Sequence, residues 1–116
     1  MIETREALAN ADEILSVPGI DAFFIGPNDL HNSLGHPPAF ESDHPEFVQG
    51  LENLLLLSKK HKVPSGIHVA DAAAAQRRIA QGFQFIAIAS EAGMMLAKAG
   101  EISKTLGLGG KVVAKY

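Results

Sequence analysis

The chain has 116 residues, 47% of them hydrophobic and 20% charged, with a net charge of −3 and no cysteine. That length allows one modest domain that buries roughly two-thirds of its unfolded surface. The acidic balance excludes the basic face that a nucleic-acid partner asks for, and the lack of cysteine excludes a disulfide framework and fits a reducing, cytoplasmic compartment.

The elements follow from punctuation and apolar spacing. Residues 1–3 read as the end of a strand whose beginning is missing. Thr4 suits a helix N-cap, and Ala7, Leu8, Ala11, Ile14 and Leu15 follow at helical spacing until Pro18-Gly19 turns the chain. Residues 21–25 form a short, almost wholly apolar strand, the kind covered on both faces in a parallel sheet. It ends in Gly26-Pro27-Asn28-Asp29-Leu30, a turn that opens a short helical piece. A loop rich in Gly, Pro and His covers residues 35–45. Pro45 starts a helix running to about His61, with Phe47, Val48, Leu51, Leu54 and Leu55 inward.

Residues 64–69 are the next strand, and Asp71 caps an alanine-rich helix that stops at Gly82. Residues 83–89 form a third apolar strand, and Ser90 caps a last helix ending near Gly107. Residues 109–116 read as a loose C-terminal tail outside a domain of residues 1–108. The apolar runs, such as 54–57 and 72–75, fall far short of the ~20 residues that cross a bilayer, and residues 1–6 lack the apolar stretch of a signal peptide. No membrane association is expected.

Strict alternation of strands and helices predicts an α/β fold of parallel βα units. Part of a (β/α)8 barrel and a small open doubly wound sheet both satisfy the order. A complete barrel takes about 250 residues, so four βα units with the first strand cut short correspond to half of one.

In parallel α/β folds, ligands bind at the C-terminal ends of strands. Those ends carry Glu3, then residues 26–29, then His68, then Ser90-Glu91. Two carboxylates there suit a hard divalent cation such as Mg²⁺ or Mn²⁺. A plainer reading has Glu3 supporting the following helix and Asp29 serving one as a cap. Arg77 and Arg78 read as a solvated helix face, and Met94 and Met95 as helix packing or a subunit contact. His31, His36, His44 and His68 have no known ligand spacing; His31 and His68 suit pocket-lining or hydrogen-bonded roles.

The block Ile2-Glu3-Thr4, Asn10-Ala11-Asp12-Glu13-Ile14, Val17-Pro18-Gly19-Ile20-Asp21, Phe24-Ile25-Gly26-Pro27-Asn28-Asp29-Leu30 and Ser33-Leu34-Gly35 closely resembles the HpcH/HpaI aldolase/citrate lyase family. The likeness is to its 4-hydroxy-2-oxoheptanedioate and 2-dehydro-3-deoxy-sugar-acid aldolases. The resemblance implies a metal-dependent pyruvate aldolase that reversibly cleaves a 2-oxo acid to pyruvate and an aldehyde. It implies Glu3 and Asp29 as metal ligands, with Mg²⁺ or Mn²⁺ bound and Co²⁺ as a further candidate. It also implies that the backbone N–H groups of Asn28 and Asp29 hold the pyruvate carboxylate, and that the chain forms homo-oligomers.

Four departures accompany the likeness. Met1 stands where the family has Gln, His31 where it has Ser, and Glu91 where it has Asp. The family's basic His and its Arg sit on early strands that have no counterpart here, so no residue is assigned as catalytic. The expected activity is that of an incomplete or weakly active fragment; the alternative is a non-catalytic truncated paralogue that binds metal and keto acid or serves oligomerisation.

Overall fold

A computed structural model of the protein describes residues 1–108, and the expected tail, residues 109–116, lies outside the described residues. Thr4 is extended and its Oγ1 accepts the Ala7 N–H at 3.0 Å, opening α1 (Arg5–Ala9). The helix expected to continue to Leu15 breaks at Asn10, whose φ of −95° and ψ of 9° leave the helical well, and α2 (Ala11–Leu15) restarts beyond it. Asparagine is a poor interior helix residue because its short amide competes for local backbone groups.

Three strands follow, β1 (Phe23–Ile25), β2 (Ser65–Val69) and β3 (Phe85–Ile88), all parallel and ordered β1-β2-β3. Ile2 extends the sheet beyond β1 through a parallel bridge to Ile25, its N–H donating to the Phe24 carbonyl at 2.8 Å. Spatial order therefore follows chain order. The doubly wound alternative needs a reversal of strand order, and none occurs among the described residues.

Right-handed crossovers between neighbours in chain order put the connecting helices on one face. Ile2, Ile25, Ile67 and Ile86 pair in one rung across the sheet, and the first three are almost fully buried. Against that face lie α3 (Pro27–Ser33), α4 (Pro45–His61) and α5 (Ala72–Gln81), which bury Leu30, then Phe47, Leu51 and Leu54 at helical spacing, then Ala74 and Ala75. The Asp71 carboxylate caps α5 by accepting the Ala74 N–H at 2.8 Å. Asp12 ties α2 to α4: it lies 2.7 Å from Lys60 Nζ and 2.6 Å from His61 Nε2, and those hydrogen bonds, Lys60 foremost, hold its carboxyl below the usual range.

The opposite face differs. Phe24, Gly66 and Phe85 share a rung, and the two rings meet edge-on across the glycine with centroids 5.4 Å apart. Phe85 is nevertheless 56% exposed and Met1 74%. The third strand thus departs from expectation, being shorter than residues 83–89 and only partly covered. No described strand pairs its outer edge, and no layer covers the Phe24–Phe85 face among the described residues.

Two further expectations change. Arg78 is not on a solvated face: it is 7% exposed and donates to Gln81 Oε1 and Glu41 Oε2, each at 3.0 Å. Its charge is buried with a partner, which anchors the 35–45 loop to α5. Arg77 does remain mostly exposed. The last helix, α6 (Glu91–Thr105), begins with Ser90 Oγ accepting the Gly93 N–H at 3.1 Å and has no buried residue among those described. Met94 and Met95 are therefore not core packing: they are 54% and 72% exposed among the described residues.

Candidate metal and substrate site

One step beyond the buried isoleucine rung, the residues Glu3, Gly26, His68 and Ala87 face the other side of the sheet, near the C-terminal ends of its strands. Adjacent strands lie about 4.8 Å apart, so Glu3 and His68 flank Gly26 with roughly 10 Å between their Cα atoms. The absence of a side chain at Gly26 decides what this rung can hold. A Cβ there would stand 2.7 Å from Glu3 Oε2, 3.5 Å from Asp29 Oδ2 and 3.5 Å from Met1 Cε. Two carboxylates therefore bracket one small space, with the Met1 methyl at its rim.

Asp29 reaches that space because α3 starts directly at the end of β1. Gly26 is its N-cap, and Pro27 occupies the first turn, where its missing N–H costs nothing. The Leu30 N–H returns to the Gly26 carbonyl at 2.9 Å. The N–H groups of Asn28 and Asp29 lie in the first turn, where no intrahelical acceptor exists, and no side chain caps the helix.

Neither Glu3 nor Asp29 joins an ion pair among the described residues. Two hard oxygen donors around an open space fit Mg²⁺ or Mn²⁺, which keep water or substrate oxygens as their remaining ligands. Among the described residues no group of three or more His, Asp or Glu side chains is placed to hold a metal ion, so Glu3 and Asp29 would supply only two of a cation's ligands.

The histidines separate by place. His31 is 1% exposed, its Nδ1 donates to the Pro27 carbonyl at 2.9 Å, and its ring stacks on Phe47 with centroids 4.1 Å apart. It is a core residue. His36 and His44 stack on each other at 3.5 Å, drawing together the ends of the loop between them. His68 is half-buried and its Nε2 lies 2.8 Å from the Ala89 carbonyl oxygen. Glu91, at the start of α6, is exposed. A cavity between α4, α5 and the 41–43 loop is lined by Phe47, Leu51, Arg77 and Arg78 and does not include the two carboxylates.

Glu3 and Asp29 lie around one space, and two features of the site carry little or no signal in the sequence. One is Gly26 as the gap the carboxylates share, whose only signal is a glycine directly after an apolar strand. The other is Ala89, a non-glycine residue with φ of +52°, which no sequence pattern marks.

The description HpcH/HpaI aldolase/citrate lyase matches residues 1–98. The chain belongs to the HpcH/HpaI aldolase/citrate lyase family. It is 41% identical over 102 residues to a hydroxypyruvate/pyruvate aldolase of Rhizorhabdus wittichii, covering 88% of this chain and 41% of that protein. It is 39% identical over 103 residues to a 2-dehydro-3,6-dideoxy-6-sulfogluconate aldolase of Pseudomonas putida, covering 87% of this chain and 39% of that one. Among solved structures, an HpcH/HpaI family protein from Burkholderia cenocepacia superposes with a TM-score of 0.84 at 27% identity, covering 90% of this chain and 40% of that chain. The chain spans about two-fifths of the length of these HpcH/HpaI relatives.

Proposed function

We propose that this chain carries the metal- and pyruvate-binding part of a class II aldolase, and that residues 1–108 are the C-terminal half of a (β/α)8 barrel. Glu3 and Asp29 hold the cation, Mg²⁺ or Mn²⁺ with Co²⁺ as a further candidate. The Asn28 and Asp29 backbone N–H groups receive the carboxylate of a 2-oxo acid, the class of ligand the R. wittichii relative's name specifies. The observation that carries this reading is the space over Gly26, bordered by two carboxylates without a cationic side chain.

The reaction is reversible cleavage of a 2-oxo acid to pyruvate and an aldehyde. A bound cation supplies Lewis acidity toward the ketone oxygen. The chain's own residues do the orienting. Gly26 keeps the floor of the site clear, Pro27 sets the direction in which α3 leaves the strand, and the Asn28 and Asp29 amides fix the carboxylate end. Met1 offers no hydrogen bond to the keto acid.

Strands in chain order and an uncovered Phe24–Phe85 face support the half-barrel reading, since such a half presents its inner wall. The same exposed face, together with Met94, Met95 and Ile102 on α6, supports a homo-oligomer, either as two halves facing each other or through α6. The lack of cysteine supports a cytoplasmic setting. His31 is buried in the core and cannot reach a substrate to replace the family's basic His, which favours a weakly active or non-catalytic chain over a fully active one.

The test is pyruvate release from 4-hydroxy-2-oxobutanoate, followed by coupling to lactate dehydrogenase. Loss of a general base alone costs about 10²–10⁴-fold, so turnover at least ~10²-fold below a full-length family member is expected. It should disappear with chelator and in Asp29→Ala. Release that ignores chelator and persists in Asp29→Ala would overturn the assignment.

A further inference from the structure

His31 has no assigned part in the site, yet an apolar side chain would fill its place at less cost. The ring is almost fully buried and stacks on Phe47 of α4, with centroids 4.1 Å apart and 23° between the planes. A carbonyl oxygen only accepts, so the 2.9 Å contact with the Pro27 carbonyl puts the proton of the neutral ring on Nδ1. That leaves a lone pair on Nε2, which is shut off from solvent and has no hydrogen-bond partner among the described residues. A buried acceptor without a donor destabilises the folded chain, and a phenyl ring in this place would carry none of that penalty. What a phenyl ring could not supply is the N–H that meets Pro27.

That carbonyl belongs to the part of α3 most in need of a hold. The helix has seven residues, short of the ~12–15 that sustain a helix alone, and no side chain caps its start. Pro27 brings no N–H of its own. Asp29 lies in this first turn, exposed and without an ion pair among the described residues to fix its carboxylate. The backbone of the turn therefore sets how near Asp29 Oδ2 comes to the space over Gly26. Phe47 is itself fully buried, so α4 gives the His31 ring a fixed wall to bear against.

We propose that His31 is a positioning residue for the two-carboxylate site: its ring, backed by Phe47, holds the first turn of α3 through the Pro27 carbonyl and so keeps Asp29 over Gly26, opposite Glu3. This rests on the proposed function, in which Glu3 and Asp29 share a cation, and adds the residue that sets how they meet. The imidazole touches neither cation nor oxo acid. Its effect reaches the site through one carbonyl and the short stretch of backbone from Pro27 to Asp29.

The experiment sets metal affinity against stability in two variants of the 116-residue chain that divide the roles of the ring. His31→Phe keeps the stack and loses the donor. His31→Asn keeps an N–H in the place of Nδ1–H and loses the ring. Mn²⁺ is titrated into each while the unbound ion is followed by electron paramagnetic resonance, and melting is followed by circular dichroism. His31→Phe is expected to melt within about 3 °C of the parent and to bind Mn²⁺ about tenfold more weakly, the low end of what losing a ligand's support costs. His31→Asn leaves a gap beside Phe47, so it should melt at least about 5 °C lower yet bind Mn²⁺ within about threefold of the parent.

Affinity that follows stability in both variants would overturn the proposal by showing that the ring only packs. So would unchanged affinity in His31→Phe alongside weakened binding in Asp29→Asn, a result that leaves the metal reading standing. A parent without saturable Mn²⁺ binding, or equal affinity in Asp29→Asn, sinks the metal reading and this inference with it.

Discussion

Gly66→Ala is expected to lower the melting temperature by about 6 °C. Gly66 sits between Phe24 and Phe85 on the uncovered face, and a Cβ would lie 2.7 Å from Phe24 Cδ2, 2.8 Å from the Phe85 carbonyl oxygen and 3.0 Å from Phe85 Cβ. The Phe24 ring could swing aside. The Phe85 carbonyl belongs to the paired strand and cannot move without opening the β2–β3 ladder. Overpacking of this kind costs about 1–3 kcal/mol, whereas the entropic gain from replacing glycine is about 0.4–1 kcal/mol, so the clash wins. A net loss of about 1.3 kcal/mol corresponds to that shift in a domain of this size. Thermal unfolding by circular dichroism decides it, and a change under about 3 °C would mean the strands accommodate the methyl.

Gly26→Ala should do the reverse, sparing the fold and damaging the site. Its shortest contact is the same 2.7 Å, but the atom met is Glu3 Oε2, the far end of a flexible side chain. The backbone at Gly26, φ −97° and ψ 95°, is one alanine adopts without strain. Stability should therefore change by less than about 1 kcal/mol. The displaced carboxylate no longer shares a space with Asp29, and metal affinity should fall at least tenfold, in the range that misplacing a ligand's support costs. Equal Mn²⁺ affinity in Gly26→Ala and the parent would show that the carboxylates do not act together.

Much of this was legible in the residues because the deciding forces are local. Thr4, Asp71 and Ser90 are caps that need only a hydroxyl or carboxylate three residues from an amide, and each caps as its sequence suggests. Parallel βα order and the convergence of Glu3 with Asp29 follow from apolar runs ending in charged turns. What escaped depends on distant partners. Arg78 is buried because Glu41, in a separate loop, reaches it. The partial exposure of β3 reflects which strands and layers lie beside it, a property of no residue in it. Ala89 takes its left-handed turn because Val69 and His68, far back in the chain, hold its two polar groups. Asn10 is a smaller miss: its local competition for the backbone outweighs an apolar spacing that runs unbroken through it.

The central claim, that Glu3 and Asp29 share a divalent cation, is tested most directly by titrating Mn²⁺ into the parent, Glu3→Gln and Asp29→Asn with pyruvate present, following unbound Mn²⁺ by electron paramagnetic resonance. Two carboxylates form a weak site that substrate oxygens tighten. The expected result is one saturable site in the parent, strengthened by pyruvate, and at least a tenfold loss of affinity in each variant. Indistinguishable affinity in all three proteins would contradict the assignment of both residues.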